Sequence, residues 1–247
     1  MHSSSRRRHA EALLASGMTL SACARLSGVA RSTLRTWRDG NLTPRPSECP
    51  RCADAPMAPD VYAALLGYYL GDGCVSRARR CMTLRITCDS TYPAIIADVR
   101  RLLELTHPSA ATHVVFAPGC VVVQKAWTHW ACVLPQHGPG PKHGRPIVLE
   151  DWQRVIVEAH PAPFLRGLFH SDGSRVRNRV HRMVAGELKH YVYPRWQFSN
   201  RSPDIRELCC WALDLVDVPW RQSSSHHISV STRPAVAMLD GLIGLKQ

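Results

Sequence analysis

One short phrase occurs twice in this chain. Leu65–Gly73 reads LLGYYLGDG and Leu165–Gly173 reads LRGLFHSDG. Each copy spaces two small residues four apart, Gly67 with Gly71 and Gly167 with Ser171. Each then ends in Asp-Gly, at Asp72-Gly73 and Asp172-Gly173. Residues i and i+4 share one face of a helix. Each copy therefore predicts a helix with a face stripped of side-chain bulk, open to close approach by another backbone. The neighbours Leu65, Leu66, Tyr68, Tyr69 and Leu70, and Phe164, Leu165, Leu168 and Phe169, predict burial. The simplest packing sets the two helices small face to small face. Gly73 and Gly173 then suit the left-handed position just past a helix C-terminus.

That packing brings two carboxylates to neighbouring helix ends. A helix C-terminus already carries partial negative charge, and paired carboxylates repel. A divalent cation relieves both problems. Oxygen-rich sites suit Mg²⁺, and paired metal-binding carboxylates suit phosphodiester hydrolysis. A single copy would mean no more than an Asp-Gly turn after a core helix. Two copies with one spacing argue against that reading.

The elements after each phrase also repeat. The first phrase, on helix Pro59–Asp72, precedes a hairpin, Val75–Arg79 with Cys81–Cys88. There Met82, Leu84 and Ile86 alternate with Thr83, Arg85 and Thr87, the period of a strand with one polar face. Helix Tyr92–Leu105, hairpin Val114–Ala117 with Val121–Lys125, and helix Thr128–Leu134 complete the half. A Gly-, Pro- and His-rich connector, Gln136–Pro146, and helix Glu150–His160 lead to the second phrase. After it come a long hairpin, Arg175–Phe198, turning at Ala185-Gly186; helix Pro203–Val216; strands Trp220–Gln222 and His227–Ser231; and helix Pro234–Ile243. The class is α+β, with two similar subdomains.

Upstream, Met1–Arg8 is rich in Ser and Arg and is expected to lack structure. A helix, His9–Ser16, follows. Thr19–Trp37 then predicts two helices broken at Ser27-Gly28, either a helix-turn-helix or a plain helical hairpin. Ala24 and Gly28 are expected to let these helices cross tightly. Arg31, Ser32, Thr33 and Arg35 fall on the polar side of the second helix, where they would reach bases or phosphates. Asn41–Pro59 is a Pro-rich linker. It holds Cys49-Pro-Arg-Cys52, half of a zinc knuckle, with no second pair at a matching spacing; zinc and a plain pair of linker thiols both stay open. The expected divisions are 1–40, 41–59, 60–147 and 148–247.

The 247 residues carry a formal charge of +12, which favours a polyanionic partner, nucleic acid first. Ten cysteines, no signal peptide and no apolar run of membrane-spanning length predict reduced thiols in the cytoplasm. Cys120, Cys132, Cys209 and Cys210 sit among apolar residues and are expected in the core.

Both phrases resemble the LAGLIDADG motif of homing endonucleases, also called the DOD type. The resemblance runs from about Asp60 to the C-terminus. It implies the single-chain form: a pseudo-symmetric pair of αββαββα subdomains forming a β-saddle on double-stranded DNA. Here a small all-α helix-turn-helix module would precede them. Such a chain works as a monomer. The resemblance makes Asp72 and Asp172 the metal-binding acids, with Mg²⁺ as cofactor. It makes Lys142 and Lys246, each after the last helix of its half, auxiliary lysines. The sixth motif position, often Asp, holds Leu70 and His170. On the strands, alternation puts Arg175, Arg177, Arg179 and His181 on one face. Arg77, Arg79 and Arg85, with Arg195, Gln197 and Asn200, are further candidates for a groove-reading surface. The implied activity is site-specific cleavage of double-stranded DNA. The rival is a sequence-specific transcriptional regulator that keeps the fold without cleavage.

Overall fold

A computed structural model describes residues 4–39, 49–77 and 81–246. The chain divides into two compact units, Met1–Ser47 and Glu48–Gln247, each with its own apolar core.

The first unit is three helices: α1 (Ser4–Ala15), α2 (Leu20–Ser27) and α3 (Arg31–Arg38). Helix already begins at Ser4, within the stretch expected to lack structure. Arg7 there pairs with Glu11 one turn on at 2.7 Å and lies 5.3 Å from the Trp37 ring centre. Thr19 caps α2 by accepting the Ala22 amide at 3.3 Å. Ala10, Cys23, Val29 and Leu34 close a small core. Gly28 ends α2 at φ +65°, its amide bonded to the Ala24 carbonyl at 3.1 Å. A Cβ on Gly28 would meet nothing within 4 Å. The glycine therefore serves the left-handed turn and not, as expected, a tight helix crossing.

The second unit repeats one order of elements. Its first half runs α4 (Pro59–Leu70), β1 (Gly73–Arg77), β2 (Met82–Asp89), α5 (Pro93–Thr106), β3 (Thr112–Ala117), β4 (Cys120–Ala126) and α6 (Trp130–Val133). After α7 (Asp151–Ala159), the second half runs α8 (Pro161–Asp172), β5 (Gly173–Val184), β6 (Glu187–Ser199), α9 (Pro203–Asp214), β7 (Arg221–Ser224), β8 (His227–Val230) and α10 (Arg233–Ile243). Both four-stranded sheets are antiparallel and share one topology, β1-β2-β4-β3 and β5-β6-β8-β7. Proline opens α4, α5, α8 and α9, where its missing N–H costs nothing and its fixed φ suits the helix.

Helix α4 is buried along its whole length from Val61 to Leu70, which is why it is apolar on every side. It packs on α5, α7 and above all α8. Inward residues of the two sheets, Leu84, Ile86 and Val123 and Trp196, Phe198 and Val230, join one continuous core. Phe169 of α8 meets Trp196 edge-on at 5.7 Å. Tyr62 donates to the Val133 carbonyl and accepts from Gln153, both at 2.6 Å.

Candidate catalytic centre and open sheet faces

The small residues of the repeated phrase meet one another. A Cβ on Gly67 would run into the Phe164 carbonyl, one on Gly167 into the Ala64 carbonyl, and one on Gly71 into Ser171. Helices α4 and α8 thus touch backbone to backbone, as the spacing predicted, and their adjoining ends carry Asp72 and Asp172. Gly73 and Gly173 have a different reason from the one expected. Neither lies in the left-handed region. Each begins a strand that passes so close to its own helix that a Cβ would come within 2.5 Å of Tyr69 Cα or of the Phe169 carbonyl.

The two carboxylates share one electrostatic problem. Burial raises Asp72 above the usual carboxylate range, against the pull of Lys142 and Lys246. Burial and the charge of Asp72 push Asp172 up to about 6, against a hydrogen bond from Asn200 and the same two lysines. The Asn200 amide donates to Asp172 Oδ2 at 2.5 Å. Asn200 was expected among groove-reading residues; here it holds the acid. In the first half its place falls to Cys88: Gly73 pairs with Ile86 and Gly173 with Phe198, and Cys88 and Asn200 each lie two residues further on. Burial and the Asp72 charge push the Cys88 thiol up to about 12.

Lys142 and Lys246 both come to this centre, but they are not equivalent. Lys142 donates to the carbonyls of Tyr69, Gly71 and Gly73 at 2.5, 2.6 and 2.8 Å. An ammonium has three protons to give, so this lysine is spent on the end of α4. Burial lowers it to about 8, against the pull of both aspartates, which leaves it mostly charged at neutral pH. Lys246 donates to the Ser171 carbonyl at 3.2 Å, and burial lowers it as well. His170 stands between the Tyr68 hydroxyl at 3.2 Å and the Gly244 carbonyl at 3.4 Å. Burial lowers it to about 4, so it is neutral packing at the motif's sixth position.

Directly paired residues of antiparallel strands share a face, and this sorts the arginines. Arg175 pairs with Trp196, Arg177 with Pro194, Arg179 with Val192 and His181 with His190. The row is real, but it stands on the side of buried Trp196 and Phe198, the helix-covered side. Arg175 is bound there to Asp240 of α10 through two nitrogens, at 2.8 and 2.9 Å; it is a structural ion pair rather than a groove-reading group. Arg177 and Arg179 are exposed further out along the same face. In that outer arm both faces meet solvent, so Val176 and Val180 mark no core and alternation alone chose the wrong side. The opposite, open face carries Ser174, Asn178, Arg182, Arg195 and Gln197. In the first sheet Arg85 lies on the open face, donating to Gln124 at 3.0 Å and Ser76 at 2.8 Å. Arg77 pairs with Met82 on the helix side. Arg79 lies outside the described residues. On α3, Arg31, Ser32 and Arg35 are exposed and Thr33 is half-buried.

Cys49 and Cys52 do not lie in a linker. They belong to the second unit, Cys49 fully buried, with Cys52 Sγ 3.3 Å from Cys132 Sγ. Of the expected core cysteines only Cys209 is buried; Cys120, Cys132 and Cys210 are partly exposed.

Two helices joined through glycine, each followed at its end by an aspartate and leading into a matching four-stranded sheet, define a LAGLIDADG-type fold in its two-motif form. One solved structure agrees in fold. I-DmoI in complex with DNA and Mn superposes with a TM-score of 0.50 at 12% identity, over 76% of this chain and 99% of that one; I-DmoI is described as a homing endonuclease. The N-terminal LAGLIDADG domain of DUF199/WhiA aligns with a TM-score of 0.47 at 15% identity, over 78% and 88% of the two chains. No protein-family model and no curated protein matches this sequence.

Proposed function

We propose that this protein is a site-specific double-stranded DNA endonuclease that uses a divalent cation, Mg²⁺ by preference. The observation that carries this reading is the pairing of Asp72 and Asp172 at the adjoining ends of α4 and α8, each raised by desolvation among its neighbours. A binding protein gains little from two repelling acids in one place. The donors there are carboxylate oxygens, and oxygen donors suit hard cations. Asp72 and Asp172 would hold the cation. When bound, it would supply Lewis-acid polarisation of a phosphoryl oxygen and an activated water.

The chain's own residues do the rest. Asn200 fixes the orientation of Asp172. Lys142 neutralises the negative end of α4 and keeps Asp72 in place as a positioning residue. Lys246 adds positive charge beside both acids, where phosphate charge develops. Arg85, Arg195 and Gln197 on the open faces contact the grooves, and the net charge of +12 favours the polyanion. I-DmoI, similar to this chain in fold, was solved in complex with DNA and Mn.

Cleavage of a randomised plasmid library with millimolar Mg²⁺ or EDTA, beside Asp72→Asn and Asp172→Asn, tests this. The expected outcome is Mg²⁺-dependent double-strand cutting at a discrete sequence, lost in both variants while DNA binding survives. Selective binding without cuts would establish the alternative, a DNA-binding regulator. The observation on that side is the separate three-helix unit with Arg31, Ser32 and Arg35 exposed on α3.

A further inference from the structure

Away from the paired acids, a second set of side chains converges in a way that DNA cleavage does not use. Cys49 and Cys52 occupy a tight turn in which the Ala53 amide bonds the Cys49 carbonyl at 3.0 Å. His129 and Cys132 sit on one turn at the start of α6, where the Cys132 amide bonds the His129 carbonyl at 2.9 Å. The ligand atoms of all four lie within 4.8 Å of one another. Cys132 Sγ is 3.3 Å from Cys52 Sγ and 3.7 Å from His129 Nδ1.

We propose that Cys49, Cys52, His129 and Cys132 form a structural zinc site. With Zn–S bonds of about 2.3 Å, tetrahedral geometry sets sulfur–sulfur edges of about 3.8 Å. The observed cluster needs only small side-chain adjustments to reach them. Four protein ligands close the site, as structural zinc requires. Three thiolates and an imidazole select a soft or borderline ion and disfavour Mg²⁺. The backbone amides of Arg51 and Cys52 hydrogen-bond to the Cys49 sulfur, and contacts of this kind orient the ligands of a metal. The dyads are Cys-x-x-Cys and His-x-x-Cys, and the span between Cys52 and Cys132 is 80 residues. The site therefore ties the point where the chain enters the second unit to the end of its first half, across the whole first motif. Its work is stability, because metal binding that needs the folded site is folding free energy.

The rival occupants of this geometry are a Cys52–Cys132 disulfide and a simple thiol cluster. The test uses the full chain purified under reducing conditions, with metal measured by mass spectrometry and thiols counted after denaturation. One zinc per chain is expected, retained through dialysis against the EDTA level that removes Mg²⁺ and released by an organomercurial. Cys132→Ser and His129→Ala should lose the zinc and lower Tm, while Cys120→Ser should keep both. Should those variants fail to fold, Co²⁺ reconstitution of the wild type decides. Tetrahedral absorption with intense thiolate-to-metal charge transfer supports the site; octahedral, weakly absorbing Co²⁺ overturns it. A folded, reduced protein without zinc, zinc unaffected by Cys132→Ser, or a native Cys52–Cys132 disulfide would each also overturn it.

Discussion

Asp172 stores an unfavourable charge in the metal-free protein, and that charge has a measurable consequence. Its carboxyl is raised from 3.8 to about 6 by burial and by Asp72. A group whose folded pKa is raised contributes stability below its unfolded value, and that stability is lost as pH rises through the folded value. Asp172→Asn removes the charge. Without metal, the variant should therefore be more stable than wild type at neutral pH, by roughly 1–3 kcal/mol, with the difference vanishing below about pH 4. Denaturant melts across this range check it; equal stability at neutral pH would mean that Asp172 is not strained. Added Mg²⁺ should stabilise wild type and not the variant. At this scale the acids were legible because Asp-Gly ends a duplicated small-residue helix. Asn200 was not legible, because its contact with Asp172 depends on where β6 ends. His129 and Cys132 do carry a readable signal, a His-x-x-Cys spacing that mirrors Cys-x-x-Cys. It goes unnoticed when only Cys-Cys or His-His pairs are sought.

Elements show why glycine must be read by environment. Gly67 and Gly167 are set where a Cβ would strike the facing helix's carbonyl oxygens, those of Phe164 and Ala64. Backbone cannot yield as a side-chain tip can, so Gly67→Ala or Gly167→Ala should cost about 3 kcal/mol or more, enough to unfold a marginal domain. Gly28→Ala in α2 meets no atom. It suffers only from φ +65° and should cost about 1–2 kcal/mol. Thermal melts of the three variants, ranked, test both arguments; equal losses would contradict them. Helices and strands of the second unit were legible from period, and the repeat fixed their order. The face of β5 was not. Alternation gives two faces, and only the pairing of Arg175 with buried Trp196 says which one the helices cover. The same limit applies to Lys142. Its place after the first half was readable, but its three bonds to the end of α4 depend on how the connector folds back.

At the scale of the molecule, charge and chemistry are divided differently along the chain. Residues 1–47 hold eight arginines and two acids, half of the net +12 in less than a fifth of the length. The paired acids, both sheets and the four-ligand cluster all belong to residues 48–247. Proline spacing suggests a division near this point, but a proline cannot report which flanking residues join the next core, and buried Cys49 belongs to the second unit, with Cys49-Pro-Arg-Cys52. Under the proposed function, this division makes affinity and cleavage separable. Each phosphate neutralised contributes about 0.9 to the slope of log K against log salt. Residues 48–247 alone should therefore bind DNA more weakly and with a shallower salt slope than the full chain, yet cut at the same phosphates with the same Mg²⁺ requirement. Binding isotherms over a salt series, beside mapping of the cut ends, measure the two separately. An unchanged cut position with a reduced slope assigns sequence choice to the open sheet faces and general grip to the arginine-rich unit. A lost or moved cut position would instead place sequence choice on α3, through Arg31, Ser32 and Arg35, and would make the first unit part of target recognition.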